Sequence, residues 1–287
     1  MKTIIIDKAD ITLQVKSESL FVDTQRVPMQ LIEMLILAHD TAMNSKTIIE
    51  LSRQNIPILM ISKNSQDFAL TLPQESKNSE QKLSQFRSLE HRLGFAKYFL
   101  NNKIKTHTDH LKRLGFNVDE NLWQEKIDSA KKIGDLLGFE GSFSRLYFQN
   151  FFATIPKVLH KSKRSKRPPE DPVNAILSYL YTIAYNVITT QIYKSGLDPA
   201  ISYLHEAFRS HYALSSDMLE LFRSHINEMT AGWFLDRTLQ VDDFSKKNGV
   251  YLRYESRKKL WPQIKELSDF LALETNKEIA LLKAAIT

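Results

Sequence analysis

The hydrophobic pattern of this chain changes its period near residue 73. Before that point, Ile11, Leu13 and Val15 alternate with polar residues, which is typical of a strand with one buried face. The segment from Pro73 to Asn78 is polar and contains a proline, which favours a domain boundary there. Beyond it, apolar residues recur with the period of an amphipathic helix, at Phe86, Leu89, Leu93, Ala96, Leu100 and Ile104. The sequence therefore predicts an α+β fold, with a small β-rich N-terminal domain at 1–73 and a larger all-α C-terminal domain at 78–287.

Local patterns predict the individual elements. Apolar or β-branched runs indicate further strands at 4–6, 20–22, 32–37, 58–61 and 68–72. A short helix is expected between them, with Ser45 as its N-cap and Leu51 near its end. In the C-terminal domain, helices are predicted at 86–114, 122–137, 138–152, 173–193 and 216–240, followed by a small hairpin within 249–257 and a last helix from residue 261.

Composition limits the classes of protein that fit. A length of 287 residues with 43% hydrophobic content is enough for one large domain or two modest ones. The absence of cysteine excludes disulfides and thiolate metal sites, and it fits a reducing compartment. No signal-peptide pattern opens the chain and no apolar run reaches about 18 residues, so we expect a cytoplasmic protein without membrane contact.

The positive charge is unevenly distributed. Basic residues outnumber acidic ones by 39 to 33, which gives a net charge of +6; this is compatible with nucleic-acid binding but does not establish it. A basic tract of five residues is either a phosphate-contact site or a solvated loop; it comprises Lys161, Lys163, Arg164, Lys166 and Arg167. A second basic set, on the polar face of the predicted 86–114 helix, is interpreted as solvated; it comprises Arg87, Lys97, Lys103, Lys105, Lys112 and Arg113.

His205, Asp217 and Glu220 form a candidate ligand set for a hard divalent cation such as Mg²⁺ or Mn²⁺. On one continuous helix, His205 and Glu220 would lie roughly 22 Å apart, so the helix must break between them. Ser215 or Ser216 is expected to cap a new helix near Asp217, which places Asp217 and Glu220 on one face of its first turn. The alternative is that the two acids are ordinary first-turn residues and that His205 is a hydrogen-bonded histidine.

Glu140 is a single acid within the apolar segment Gly138-Phe139-Glu140-Gly141. Burying an unpaired carboxylate is costly, so Glu140 is expected to be protonated, ion-paired or bound to a metal. Arg145 lies one to two turns further on and is the alternative partner.

Four blocks of residues resemble, in order and spacing, the CRISPR-associated endonuclease and integrase that inserts new spacers into the repeat array, the larger member of the adaptation pair. The blocks are Glu140-Gly141 with Arg145 and Tyr147-Phe148; Arg167, Asp171-Pro172 and Asn174; Gly196-Leu197-Asp198-Pro199 with Leu204-His205-Glu206; and Leu214, Asp217, Glu220 and Phe222-Arg223. Ser144, Leu180 and Ser202 depart from residues common in that family, but none replaces a candidate ligand. The resemblance covers nearly the whole chain.

The resemblance implies a metal-dependent DNA endonuclease and integrase, in which Glu140, His205 and Glu220 hold one Mg²⁺ or Mn²⁺ and Asp217 orients a neighbour. It implies that the nucleophile is the 3′-hydroxyl of incoming DNA or water. It also implies double-stranded DNA as partner (protospacer and CRISPR repeat), a homodimer formed through the N-terminal domain, and a small ferredoxin-like CRISPR-associated partner. Phosphate contacts are expected from Arg145, Arg209, Arg223 and the basic tract.

Two other classes of function stay open at this stage. A non-catalytic helical DNA-binding module would show salt-dependent binding without metal-dependent cleavage. A metallohydrolase of a small phosphorylated substrate would use the same ligands in a closed pocket, and the basic tract argues mildly against it.

Overall fold

The computed structural model describes residues 1–63, 65–73, 78–206 and 212–286. A small sheet region forms the N-terminal part, and the rest is mostly helical. The predicted order of β-rich and helical regions is therefore confirmed. The expected boundary at residues 73–78 stays a prediction, because residues 74–77 lie outside the described part of the chain.

The strands of the N-terminal region form two sheets. Their bounds are β1 (Lys2–Ile6), β2 (Leu13–Lys16), β3 (Ser19–Val22), β4 (Gln25–Pro28), β5 (Ile32–Leu37), β6 (Ile58–Ile61) and β7 (Phe68–Thr71). The larger sheet has the order β1-β5-β6-β7, with β7 antiparallel to its neighbour and the other pairs parallel. The smaller one is an antiparallel meander of β2, β3 and β4. Strand β4 was not predicted, because Gln25 and Arg26 give it little apolar pattern.

Strand β5 connects the two hydrophobic cores of the molecule. Its successive side chains point to opposite faces of the sheet. Met34 and Ile36 belong to the large core under the helices, whereas Leu35 and Leu37 belong to the smaller N-terminal core. Strand β5 is thus buried on both faces, and its sheet packs directly on the helical region.

The helices are α1 (Ser45–Arg53), α2 (Ser79–Arg87), α3 (Arg92–Arg113), α4 (Glu120–Ser129), α5 (Ile133–Ala153), α6 (Pro172–Lys194), α7 (Ala213–Leu235), α8 (Tyr254–Lys258) and α9 (Trp261–Ile286). A hairpin of β8 (Phe244–Lys246) and β9 (Val250–Leu252) lies between α7 and α8. The helical region is therefore not all-α, and its hairpin begins five residues earlier than the 249–257 segment predicted. The N-cap of α1 is Asn44, whose side chain accepts the Thr47 N–H at 2.9 Å, rather than Ser45.

The single helix predicted at 86–114 is two helices, α2 and α3, joined by a 3-10 turn at Ser88–His91. The Ser88 hydroxyl donates to the Gln85 carbonyl at 2.6 Å, the kind of local bond that competes with regular helix. The amide of Gln85 is buried and donates to the carbonyls of Asp198 and Ile201, both at 3.0 Å. This contact fixes the segment that leads to His205.

Glu140 was predicted at the start of a helix, but it lies in the middle of helix α5. The boundary between α4 and α5 lies earlier in the sequence, where the Asp135 carboxylate accepts the backbone N–H groups of Lys131 and Lys132 at 3.1 and 3.2 Å. Asp135 thus caps α5 from its third position. The helix continues through Gly138 and Gly141 and presents Glu140 to α3 and α7.

Helix α7 packs along both α3 and α6, so it is surrounded by other elements for most of its length. The predicted 173–193 helix is confirmed as α6, which Asp171 caps through the Asn174 N–H at 2.8 Å. No helix in the described ranges has the length and apolar character needed to cross a membrane.

Candidate active site

Helix α7 starts at Ala213, four residues before Asp217. Asp217 and Glu220 therefore lie in its second turn, and the prediction of a serine-capped start near Asp217 is wrong. The Ser215 hydroxyl instead accepts a hydrogen bond from Thr189 of α6 at 2.8 Å, so it is not free to cap. The start of α7 is tied to the preceding segment by the Leu214 N–H, which donates to the Pro199 carbonyl at 2.9 Å.

Asp217 holds the segment that carries His205. Its fully buried carboxylate accepts the backbone N–H groups of Tyr203, Leu204 and His205 at 2.7, 2.9 and 2.9 Å. It also bonds Nδ1 of the His205 ring at 2.7 Å. Arg92 supports the other side, because its guanidinium donates to the Tyr203 carbonyl at 2.6 Å. His205 is thus positioned by irregular backbone that two charged side chains fix.

Glu140, Lys103 and Glu220 meet between α5, α3 and α7. The Lys103 ammonium donates to Oε1 of Glu140 in a short hydrogen bond and lies 2.8 Å from Oε2 of Glu220. The Ser144 hydroxyl also donates to Oε1 of Glu140, at 2.7 Å. Nε2 of His205 lies 3.9 Å from Oε1 of Glu220. The structure therefore brings together Glu140, His205 and Glu220, which are far apart in sequence.

Ionisation of Glu220 is favoured despite its burial. Burial by itself raises the pKa of Glu220, but the nearby charges of Arg223, Lys103 and His205 outweigh it and hold the pKa well below its usual range. The pKa of Glu140 is also lowered; burial raises it, but the charge of Lys103 and the hydrogen bonds from Lys103 and Ser144 together outweigh burial. Both carboxyl groups are therefore charged at neutral pH.

Arg223 supports Glu220 from the next turn of α7. Its Nε lies 2.9 Å from Oε1 of Glu220, and its guanidinium stacks over the Tyr181 ring at 4.6 Å from the centroid. The Tyr181 hydroxyl donates to the side-chain oxygen of Asn227, and the Asn227 amide donates to the Tyr147 hydroxyl at 3.0 Å. A buried network of hydrogen-bonded side chains thus fixes the Tyr181 ring on which Arg223 stacks.

Lys103 is the site residue that the sequence analysis misplaced. It was assigned to a solvated basic face, but only 3% of its surface is exposed. The signal was present in the spacing, because Lys103 lies three residues after Leu100 and seven after Ala96, on the buried stripe of α3. A lysine on an apolar stripe needs a buried partner, and Glu140 needed one too. The expected alternative partner of Glu140, Arg145, is exposed and makes no hydrogen bond or ion pair with it among the contacts described.

A cleft of about 570 Å³ opens over these residues, and its rim is basic. The basic lining residues include Arg145 of α5 and, from the basic tract, Lys163, Arg164 and Lys166. Arg164 is partly engaged in fold contacts, since it donates to Asn174 at 2.9 Å and to Ser178 at 3.2 Å. Four further predicted contact residues lie as follows: Arg223 lines the cleft, Arg167 lines a neighbouring groove, Lys161 pairs with Glu170 at 3.4 Å, and Arg209 is outside the described residues.

A divalent ion needs several oxygen or nitrogen donors that converge on one point. Within the described ranges, no three His, Asp or Glu side chains are arranged ready to hold a metal ion. The Lys103 ammonium lies between the two glutamates, which separates them. The chemistry of the donors nevertheless fits: two charged carboxylates and an imidazole face one cleft, and 3.9 Å between Nε2 of His205 and Oε1 of Glu220 is within the roughly 3–4 Å expected for two ligands of one octahedral ion.

Fold and sequence together assign the chain to a family. The sequence profile of the family described as CRISPR associated protein Cas1 matches residues 3–266, so the chain belongs to that family. This agrees with the resemblance read from the motif blocks. A curated relative, CRISPR-associated endonuclease Cas1 1 of Thermodesulfovibrio yellowstonii, is 28% identical over 285 residues, covering 91% of this chain and 90% of that protein.

Two solved structures share the fold. A Cas1 protein from Thermotoga maritima superposes with a TM-score of 0.89 at 21% identity, covering 100% of this chain and 97% of that one. A casposase bound to its integration product superposes with a TM-score of 0.83 at 22% identity, covering 99% of this chain and 91% of that one. At these identities the superpositions define the fold of the chain.

Proposed function

We propose that this protein is a metal-dependent DNA endonuclease and integrase that inserts new spacer DNA into a CRISPR array. The observation that carries the proposal is the convergence of Glu140, His205 and Glu220 at a cleft with a basic rim, in a chain of the Cas1 family. The curated relative is named an endonuclease, and the casposase structure contains an integration product, which supports both reactions.

Glu140, His205 and Glu220 would hold one Mg²⁺ or Mn²⁺. When bound there, the ion supplies Lewis-acid polarisation of the scissile phosphate and neutralises charge in the transition state. The chain prepares the site for this role. Asp217 fixes the His205 ring through Nδ1, so that Nε2 faces Glu220, and Arg223 keeps the Glu220 carboxylate in place.

The nucleophile in this proposal comes from the substrates. In integration it is the 3′-hydroxyl of the incoming DNA, which attacks a phosphodiester at the repeat boundary, forms a new phosphodiester and releases the neighbouring DNA end as a 3′-hydroxyl. In the nuclease reaction it is water, and the products are a phosphate end and a hydroxyl end. No covalent enzyme intermediate is needed, so the protein contributes binding, orientation and charge. The basic rim supplies phosphate contacts, for which we propose Arg145, Arg223 and the basic tract at 161–167.

The assembly proposed for this reaction has two further parts. One is a homodimer formed through residues 1–73, where β2 and β4 are sheet edges and Leu31 is exposed. The other is the small ferredoxin-like CRISPR-associated partner implied by the family resemblance. The homodimer and the small partner would together bring the DNA ends and the repeat DNA to the cleft. A single chain with one small cleft cannot hold both DNA molecules.

The two other classes of function account for less of the site. A simple DNA-binding module has no use for charged carboxylates buried beside His205. A hydrolase of small phosphorylated molecules is disfavoured by a cleft rim made of separate basic side chains from α5 and the 161–167 segment. The location of the site in a basic cleft therefore favours a polymeric phosphodiester substrate.

The experiment that tests the proposal is strand transfer of a labelled oligonucleotide into a duplex with a CRISPR repeat. We expect joined products with Mn²⁺ and none with EDTA, and more product when the small partner protein is added. Salt-dependent DNA binding without any cleavage or joining, with either Mg²⁺ or Mn²⁺ present, would contradict the proposal and favour a binding module.

A further inference from the structure

Lys103 is a cation that the fold itself places between two of the proposed metal ligands. Its ammonium makes three contacts, to Oε1 of Glu140, to Oε2 of Glu220 and, at 3.1 Å, to the Ser144 hydroxyl. The contacts to Glu140 and Ser144 are hydrogen bonds, whereas the contact to Glu220 is an ion pair, and Oε2 of Glu220 has no hydrogen-bond partner among the described residues. The side chains of Lys103 and Glu220 are each only 4% exposed, so solvent does little to screen this ion pair.

The contacts of Lys103 use one oxygen of each glutamate. Lys103 takes Oε1 of Glu140 and Oε2 of Glu220. Oε1 of Glu220 instead faces Arg223 at 2.9 Å and His205 at 3.9 Å. Glu140 is 26% exposed at its side chain, in the wall of the cleft. A divalent ion bound on the His205 side would therefore share both carboxylates with Lys103.

The balance of charge limits how tightly such an ion is held. Among the side chains that pair directly with one another at the site, three carboxylates (Glu140, Asp217 and Glu220) face two permanent cations (Lys103 and Arg223). This leaves one net negative charge when the imidazole and the basic rim of the cleft are not counted. Adding a divalent cation makes the site net positive. Adding one phosphodiester as well returns it to neutrality.

We propose that Lys103 makes metal binding depend on DNA binding, because its charge weakens the hold of the site on a divalent cation until a DNA phosphate enters the cleft. This inference rests on the proposed function, since it concerns the same metal ligands. Removing the lysine acts on both states of the site. Without metal, the glutamates lose their attractive partner and repel each other; with metal, the repulsion between ion and ammonium disappears. Both changes favour the metal-bound state.

Thermodynamic linkage gives the proposal a measurable form. If DNA strengthens metal binding by some factor, metal strengthens DNA binding by the same factor. In the wild-type protein, we expect a DNA duplex to strengthen Mn²⁺ binding by about tenfold or more. In Lys103→Met, Mn²⁺ binding without DNA should be at least about tenfold tighter, and the added effect of DNA should shrink.

The test is a Mn²⁺ titration followed by the electron paramagnetic resonance signal of free Mn²⁺, with and without a duplex whose 3′ ends are dideoxy nucleotides. Lys105→Met is the matched control, because Lys105 is exposed on the same helix, and it should titrate like the wild type. Lys103→Gln keeps a hydrogen-bond donor without the charge and should behave like Lys103→Met. Thermal unfolding in EDTA checks that each variant is folded.

The outcomes separate this inference from the proposed function. Unchanged or weaker Mn²⁺ binding by both folded Lys103 variants, alongside loss of binding in Glu220→Gln, overturns the role of Lys103 and leaves the metal site intact. A wild-type protein that binds Mn²⁺ equally with and without DNA also overturns it, and this arm needs no variant. Mn²⁺ binding that Glu220→Gln does not change overturns the metal site itself.

Discussion

The carboxylate of Asp217 bonds Nδ1 of the His205 ring at 2.7 Å and at the same time accepts the backbone N–H of His205 at 2.9 Å. One buried side chain therefore fixes both the backbone and the ring of the same residue. Because two more N–H groups, from Tyr203 and Leu204, bond the same carboxylate, its hydrogen-bonding capacity is used inside the protein. The contacts of Asp217 are therefore those of a residue that positions His205.

Replacing Asp217 with asparagine tests this role. Asp217→Asn keeps the shape but turns one acceptor oxygen into a donor facing backbone N–H groups, so we expect a loss of about 1–3 kcal/mol in unfolding free energy. Strand transfer should fall by about 10–100-fold, as for loss of a residue that orients a ligand. Denaturant unfolding and joining assays measure the two effects. Asp236→Asn, at the exposed end of α7, is the control, and equal behaviour of the two variants would rule out a positioning role.

Acid should destabilise the protein partly through His107. This residue is buried beside Lys103, and burial, followed by the charge of Lys103, lowers the pKa of His107 to about 3. The unfolded chain takes up the proton near pH 6.5 and the folded chain does not, so stability falls as the pH drops from 6.5 towards 3. By pH 4 the loss is about 3 kcal/mol from this group. Urea unfolding at several pH values should show a smaller loss for His107→Gln; an identical pH dependence would contradict the assignment.

Glu140 and Glu220 add to acid sensitivity at lower pH. Because the pKa values of Glu140 and Glu220 are lowered from 4.5 in the folded protein, their contribution to stability is complete above pH 4.5 and is lost as the pH falls below it. In the urea series, this loss should appear below pH 4.5 and remain in His107→Gln. If His107→Gln lost no stability below pH 4.5, the contribution assigned to Glu140 and Glu220 would be contradicted.

Two lysines of the basic tract should differ in their effect on DNA binding. Lys163 lies 3.4 Å from Glu170, whereas Lys166 has no ion pair within the described part of the chain. A free cation releases more counterions on binding phosphate, so Lys166→Ala should reduce the salt slope by about one unit and Lys163→Ala by less. Fluorescence anisotropy over a range of salt concentrations measures both. Lys131→Ala, an exposed lysine outside the cleft, should leave the slope unchanged, and a slope that Lys166→Ala does not alter excludes phosphate contact there.

The proposed dimer gives a prediction for the N-terminal region. Leu31 is 54% exposed beside β5, and Leu235 is 53% exposed at the end of α7. Leu31→Glu should weaken a dimer made through residues 1–73, whereas Leu235→Glu should not. Light scattering at micromolar concentrations should give a dimer for the wild type and for Leu235→Glu. A wild-type monomer that persists at high concentration contradicts this arrangement.

Much of the fold follows from local pattern. The period of two around Leu13, the apolar run of β5 and the long apolar stretch of α6 each have one physical cause, which acts within the element itself. The errors lie where a distant contact decides. The break between α2 and α3 depends on Ser88 and Gln85. Gln85 binds residues more than a hundred positions away. Such contacts leave no local period in the sequence.

The candidate site shows the same limit. Glu140, His205 and Glu220 were recognisable from residue chemistry and motif order, and the structure brings them together. The burial of Lys103 was not predicted, because a lysine is usually solvated and the apolar stripe of α3 by itself indicates only a helix. Its burial is understandable only once α5 and α7 supply the two carboxylates.

The central claim, that Glu220 is a metal ligand for DNA strand transfer, is tested most directly by Mn²⁺-dependent joining of an oligonucleotide to repeat DNA by wild type, Glu220→Gln and Glu228→Gln. Glu228 lies two turns further along α7 and pairs with Arg113 outside the cleft, so it is the matched control. We expect joining by the wild type and Glu228→Gln and none by Glu220→Gln, with DNA binding retained by all three. Joining by Glu220→Gln at the wild-type rate, or normal Mn²⁺ binding by Glu220→Gln alongside none by Asp217→Asn, would contradict the account.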